Sequence, residues 1–190
     1  MSVSIPQDEL IQILSKFRNS KDSDIEDFLN NKALMFESRH WCSTYVLVDE
    51  DRFANGDSWI EGYFTLSNKV IEISDTVSNN LRKRISNGLN KDDNLMHMIL
   101  IGQLGKYVDE STATSSEVSA MELLDKAFEI IEEVNERIVS RCVMLECRNC
   151  SETDKKEEME SRQKLHKIYI DYGFKPLQDD GELTQYYKII

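Results

Sequence analysis

Proline is nearly absent from this chain: among 190 residues there are 2, and glycine, with 7, is hardly commoner. That scarcity excludes collagen-like, linker-rich and low-complexity architectures, which need far more of both. Long apolar runs are missing too. No stretch approaches the roughly 20 apolar residues that cross a bilayer. Met1-Ser2-Val3-Ser4-Ile5-Pro6 has neither the basic nor the apolar region of a secretion signal. A cytoplasmic protein without membrane association is expected. Cysteine is sparse, at positions 42, 142, 147 and 150. The one close pair, Cys147-Arg148-Asn149-Cys150, lacks the second pair that a zinc knuckle brings, and only His166 follows it. No metal is expected, and the thiols read as reduced residues of a cytosolic core.

Positive charge is in deficit. Lys and Arg number 23 against 35 Asp and Glu, a formal net charge of -12. Such a field repels phosphate backbones and favours a cationic acceptor such as an amine, so nucleic acid is not the expected partner. The basic run Leu81-Arg82-Lys83-Arg84 reads as the solvated face of a helix.

Periodicity organises what remains. Asp8 to Phe17 places Leu10, Ile11, Ile13, Leu14 and Phe17 at helical spacing, Asn19 to Ser23 breaks that helix, and Asp24 is positioned to cap a second one bearing Ile25, Phe28, Leu29, Ala33 and Phe36. Thr44 to Val48 and Trp59 to Leu66 are strand-like, flanking the turn signal Asn55-Gly56, and Val70 to Ile73 extends the second strand. Asp75 to Asn87 predicts a polar helix and Gly88 to Asn94 a loop. Met96 to Gly102 is apolar enough for a central strand covered on both faces. A polar loop over 107–116 precedes a long helix with Ala120, Leu123, Leu124, Ala127, Phe128, Ile131, Val134 and Ile138 on one face. Cys142 to Leu145 is a further buried strand. Leu165, Ile168, Tyr169 and Tyr172 line a last helix, stopped at Gly173 and followed by a hairpin about Asp179-Asp180-Gly181-Glu182. The order implies one mixed α/β domain over 1–190, with 1–20 an additional N-terminal helix.

Three local patterns carry a resemblance. Leu100-Ile101-Gly102-Gln103-Leu104-Gly105-Lys106 looks like a central strand that splays from its neighbour. Leu123-Leu124 sits where a helix carries paired leucines. Tyr169-Ile170-Asp171-Tyr172-Gly173-Phe174 is similar to a Tyr-x-x-x-Gly-Phe ending of a last helix, with Asn149 at a polar position after the preceding strand. Together they resemble the GNAT acyltransferase superfamily over about residues 24–190. The resemblance implies a mostly antiparallel central sheet flanked by helices, with splayed central strands, and acetyl-CoA as co-substrate. It implies pantetheine pairing at Leu104 and Lys106, pyrophosphate at Glu117, Val118, Ser119 and Ala120, and further cofactor contacts at Asn149 and Tyr169. Tyr169 becomes the acid that protonates the departing thiolate. The acceptor ammonium must also lose a proton, and Glu61 on the early strand is a candidate base for it, not fixed by spacing.

The chemistry suits these positions. A helix N-terminus offers converging N–H donors to a pyrophosphate, extended backbone pairs with an amide chain, and a phenol can protonate a sulfur. The phosphate loop departs from the family pattern. Where Gln/Arg-x-x-Gly-x-Gly/Ala is usual, the chain has Ser115, Val118 and Ala120, of which Ala120 alone conforms. A Cβ at Val118 crowds an approaching phosphate and the Glu117 carboxylate repels it. His97 and Glu146 are further candidate bases, though His97 in its apolar run reads first as a core histidine, and His166 stands one helical turn before Tyr169. The leading reading is an N-acetyltransferase acting on an amine of a small molecule or protein. Its alternatives are a degenerate GNAT-like binding module and an aminoacyl-tRNA-acetylating toxin. A homodimer is compatible with the sequence.

Overall fold

A computed structural model describes residues 5–55, 59–87, 94–151 and 153–190. The Asn55-Gly56 turn and the Gly88 to Asn94 loop expected from sequence fall largely on 56–58 and 88–93, outside the described residues. Helices are α1 (Gln7–Leu14), α2 (Ser23–Asp27), α3 (Ala33–Ser38), α4 (Glu50–Ala54), α5 (Asn79–Ser86), α6 (Ala120–Asn135) and α7 (Lys156–Asp171). Strands are β1 (Ser43–Val48), β2 (Ile60–Glu72), β3 (Leu95–Lys106), β4 (Val108–Asp109), β5 (Thr114–Ser115), β6 (Cys142–Arg148), β7 (Lys175–Asp180) and β8 (Leu183–Ile189). Six of them form a sheet in the order β1-β2-β3-β6-β8-β7. β1–β2, β6–β8 and β7–β8 are antiparallel, whereas β3 and β6 run parallel. The expected mixed α/β architecture is present. Among the described residues no helix is long and apolar enough to cross a membrane.

The chain forms two compact units whose boundaries fall inside β2, β3 and α6. One takes residues up to Leu66 with Gln103–Ala127; the other takes Ser67–Gly102 with Phe128–Ile190. The first is built on an aromatic core. Ile13, Leu14, Phe17, Phe28, Leu29, Ala33, Ile60, Tyr63 and Tyr107 pack together, with Phe17 edge-on to Tyr63 at 5.4 Å between ring centroids. Helix α2 lies on β3 because Gly105 has no side chain: a Cβ there would come within 2.3 Å of Ile25 Cγ2. The Tyr63 hydroxyl fixes the same contact by donating to the Ile25 carbonyl at 2.7 Å. Between α2 and α3, residues Phe28–Lys32 form a π-helical turn, an insertion that periodicity alone does not reveal. The cap of α2 is Asp22 rather than Asp24; its carboxylate accepts from the N–H groups of Asp24 and Ile25.

The second unit encloses Ile71, Ile73, Val77, Ile85, Met96, Met98, Cys142, Met144, Leu177 and Tyr187. Arg82 belongs to its structure rather than to a solvated face. Its guanidinium donates to the carbonyls of Val77 and Ser74 and to Asn94 and Asp75, tying the β2–α5 loop to the start of β3. The expectation for the central strand also needs correction. β3 alternates over its first half, so that Met96 and Met98 are buried while Leu95 and His97 are exposed. His97 is therefore not a core histidine: a run of apolar residues meant one covered face here, not two. The loop over 107–116 is also more structured than expected. β4 and β5 pair within it, and Tyr107, Val108 and Ser116 are buried.

Two outcomes follow. Gly105→Ala forces α2 off β3 and should lower stability by about 1–3 kcal/mol, the usual range for overpacking, seen as a fall in the denaturant midpoint. Because the unit boundaries lie within continuous strands and one helix, far-UV dichroism and tryptophan fluorescence should report one unfolding transition; two separated midpoints would contradict this.

Candidate active site

Tyr169 is fixed by the way its helix ends. The N–H of Phe174 bonds back to the Tyr169 carbonyl at 3.0 Å and the N–H of Gly173 to Ile170 at 2.9 Å, while Gly173 takes φ +99°. This is a Schellman stop, with Tyr169 three residues before the cap and Phe174 two after it. The hydrophobic contact that accompanies such a stop is present too: the Tyr169 and Phe174 rings lie 6.3 Å apart. The hexapeptide therefore has a structural reason independent of chemistry. Tyr169 is 6% exposed, and its hydroxyl takes no hydrogen bond from, and gives none to, any described residue. Burial first, then the proximity of Cys147 and Tyr186, pushes its phenol well above the ordinary range, so it keeps its proton at neutral pH.

Around Tyr169 the second unit gathers groups from β6, β8 and α7. His166, one turn earlier on α7, has Nδ1 at 2.6 Å from the Tyr186 hydroxyl and Nε2 at 3.1 Å from the Arg148 carbonyl. Tyr186 is buried on β8, its ring 6.1 Å from that of Tyr169. Sequence reasoning missed Tyr186. It lies opposite Leu145 of β6 within a run of three buried residues on β8, so no alternation marks it. Cys147 is buried and its thiol is pushed up to about 11, chiefly by burial.

Asn149 is committed locally. Its N–H donates to the Glu182 carbonyl, its own carbonyl accepts from Arg162, and its side chain meets the Thr184 hydroxyl at 2.6 Å. That hydroxyl also lies 2.6 Å from an Asp179 oxygen and has one hydrogen to give, so the Asn149 amide is best oriented with its NH2 toward Thr184. Glu146 is likewise engaged: its carboxylate accepts from Lys69 at 2.6 Å and from Gln185 at 2.9 Å. Gln185 is 1% exposed and takes a further bond from Gln178, a buried polar chain with every member paired.

The other expected residues lie in the first unit. Glu61 is half-buried on β2. Its carboxyl is pushed up by burial, then by the carboxylates of Asp49, Glu117 and Glu122, against an opposing pull from Arg52. Gly62 beside it allows a close approach, since a Cβ would lie 3.0 Å from both the Gly105 carbonyl and Leu123. Leu104 is half-buried near the end of β3. The Lys106 carbonyl accepts from Asn19 Nδ2 at 3.0 Å, and its ammonium donates to the Ser116 carbonyl at 3.0 Å. At α6 the chain forms a capping box: Ser119 Oγ accepts from the Glu122 N–H at 3.2 Å, and Glu122 accepts from the Ser119 N–H at 2.7 Å. The Val118 N–H is taken by Ser116 Oγ. Glu117 is exposed. The N–H groups of Ala120 and Met121, in the first turn, have no partner among the described residues and remain the donors best placed for an anion. Among the described residues, no group of three or more His, Cys, Asp or Glu is placed to hold a metal.

No family model and no curated protein matches the sequence. Solved structures match its fold. The toxin AtaT complexed with acetyl-methionyl-tRNAfMet superposes with a TM-score of 0.63 at 16% identity, over 93% of this chain and 86% of that one. A tyrosine-to-phenylalanine mutant of KacT gives 0.62 at 16%, over 93% and 86%. AtaTR bound with AcCoA gives 0.59 at 15%, over 93% and 84%. The chain has the GNAT fold. Within that fold Tyr169 stands in the last turn of the final long helix, directly before the terminal hairpin.

Thiol chemistry offers a check on this packing. A maleimide pulse at neutral pH should label exposed Cys150 first. Cys142 and Cys147, buried and each with a thiol pushed up to about 11, should react only on unfolding. Equal labelling of Cys147 and Cys150 in the native protein would contradict the burial beside Tyr169.

Proposed function

We propose that this protein is an acetyl-CoA-dependent N-acyltransferase. The observation that carries the proposal is Tyr169: a buried phenol that stays protonated at neutral pH, with no described hydrogen-bond partner, on a GNAT fold. Solved proteins of the same fold, AtaTR with AcCoA among them, support acetyl-CoA as the acyl donor. Backbone donors at the start of α6 serve the pyrophosphate, and Leu104 and Lys106 on β3 the pantetheine. Glu117, Val118, Ser119, Ala120 and Asn149 complete the proposed contacts. Glu122 and Glu117 oppose phosphate there, so cofactor affinity should rise when either carboxylate is removed.

The acceptor's ammonium must lose a proton before its nitrogen can attack the thioester carbonyl. Glu61 is the proposed base. Its raised carboxyl is a better proton acceptor than an ordinary one. The tetrahedral intermediate then expels a thiolate. The Tyr169 hydroxyl donates to that sulfur as its charge develops, which lowers the barrier without requiring an acid stronger than the thiol.

A second reading concerns the acceptor. AtaT was captured with acetyl-methionyl-tRNAfMet, which supports the α-amine of an aminoacyl-tRNA as a candidate here. The net charge of -12 opposes a phosphate polymer and favours a small or protein amine. Methionyl-tRNA and a panel of free amines, each assayed for acetyl-CoA-dependent thiol release, separate the two. The cytoplasm is the proposed location under either.

Tyr169→Phe removes one hydroxyl and leaves the Schellman stop. It should lower kcat by about 100- to 10,000-fold, the span of general acid catalysis, with little change in the calorimetric Kd for acetyl-CoA. Unchanged turnover would reduce Tyr169 to a packing residue, and no acetyl-CoA binding by the parent protein would favour a non-catalytic module. With pH, activity should fall on the acid side as Glu61 takes its proton, at a pH above the ordinary carboxylate value of about 4.3. The limb due to Tyr169 should lie above the ordinary phenol value of about 10. Glu61→Gln should abolish the acid limb.

A further inference from the structure

The hydrogen bonds of His166 bear on what Tyr186 can offer Tyr169. The Arg148 carbonyl can only accept, so His166 Nε2 carries a hydrogen in either protonation state. Nδ1 is therefore the nitrogen that changes. In the neutral ring it is an acceptor, and the Tyr186 hydroxyl must give it its one hydrogen across 2.6 Å. Tyr186 then presents only lone pairs to its surroundings. In the imidazolium ring Nδ1 is a donor, the Tyr186 oxygen accepts from it, and the Tyr186 hydrogen is released to point elsewhere. One proton on His166 thus reverses the direction of a buried hydroxyl.

The nearest phenol is Tyr169. The two rings are 6.1 Å apart, and Tyr186 is among the groups whose charge bears on Tyr169. We propose that His166 and Tyr186 are positioning residues for the acid: charged His166 frees the Tyr186 hydroxyl to donate toward Tyr169, directly or through one water, and so makes Tyr169 a better proton donor. A hydrogen bond received by a phenol oxygen stabilises the phenolate that forms as the proton leaves. The neutral ring withdraws that bond. This rests on the acyltransferase reading with Tyr169 as acid, and adds to it a dependence on a residue that need not touch substrate.

Other groups around the pair leave this assignment to His166. Cys147, on β6, holds its proton, with its thiol pushed up to about 11. On the same strand Arg148 offers its carbonyl, and Arg162, from α7, is spent on Asn149 and Asp154. Asp179 on β7 bears on Tyr186 by charge but is bonded to Thr184. His166 is the group here whose ring can take up a proton while keeping both of its hydrogen-bond contacts.

The test is kcat against pH for the parent protein, His166→Gln and Tyr186→Phe, with nitrogen-15 shifts of the His166 ring measured in parallel. The parent should show a partial step, several-fold in size, in which kcat falls as pH rises through the His166 pKa found by NMR. Both variants should lack the step and share the lower plateau. The NMR spectrum should show Nε2 as the protonated nitrogen of the neutral ring, and Tyr186→Phe should shift Nδ1. A step that survives in either variant, or a neutral ring protonated at Nδ1, overturns the proposal. So does a kcat in Tyr186→Phe as low as that of Tyr169→Phe, which would make Tyr186 itself the acid. A parent protein without turnover on any amine refutes the acyltransferase reading and the positioning role with it. Turnover with a flat profile refutes the positioning role alone.

Discussion

The parallel ladder between β3 and β6 is three pairs long, Ile99 with Val143, Leu100 with Met144 and Ile101 with Leu145, although both strands continue past it. Beyond that point each strand answers to other partners. On β3 the Gln103 N–H goes to the Thr65 hydroxyl and the Lys106 carbonyl to Asn19. On β6 pairing continues with β8 alone, through Arg148 opposite Leu183. Backbone polar groups in a sheet need partners, so an interrupted ladder is tolerated only where something else supplies them. Much of the chain's irregular structure supplies them. Residues 18–20 run beside Val108, and Asn19, buried although polar, is held by bonds to Lys106, Lys21 and Asp22.

Much of the fold was legible in the sequence because its signals were local and repeated. The stripe of α6 and the β-branched and aromatic content of β1 and β2 each rest on several residues that agree. The stop at Gly173 rests on one residue type with few competitors for a left-handed conformation, and φ +99° shows why glycine stands there. Features that depend on a single distant contact were not legible. The π-helical turn at Phe28–Lys32 leaves no trace in spacing, and Asp22 displaced Asp24 as a cap by two residues. The exposure of His97 depended on which faces of β3 are covered, which composition does not record.

The candidate site divides the same way. Tyr169 stood out because of its neighbours in sequence, whereas its phenol is raised first by burial and then by Cys147 and Tyr186, which spacing did not associate with it. The departures noted at Ser115 and Val118 were legible as departures, but not their consequence. In the structure the N–H of Val118 goes to Ser116 and that of Ser119 to Glu122, so the loop satisfies itself where a glycine-rich one would leave donors open. Glu61 was a candidate base by residue type alone, and its raised carboxyl comes first from burial and then from three carboxylates distant in sequence.

The Schellman stop at Gly173 also governs how firmly the acid is held. Last turns of helices fray, because their carbonyls lack intrahelical donors. Tyr169 would open and close with that turn if nothing closed it. Instead the Phe174 amide clamps the Tyr169 carbonyl, the Gly173 amide clamps Ile170, and the Lys188 ammonium reaches the Tyr172 carbonyl from β8. The phenol thus inherits the rigidity of the terminal hairpin rather than the looseness of a helix end. Natural variation that kept glycine and both aromatic rings, but exchanged tyrosine for phenylalanine at 169, would keep this clamp whole. Such a chain would fold the same way, yet lack the one hydrogen on which the proposed reaction turns.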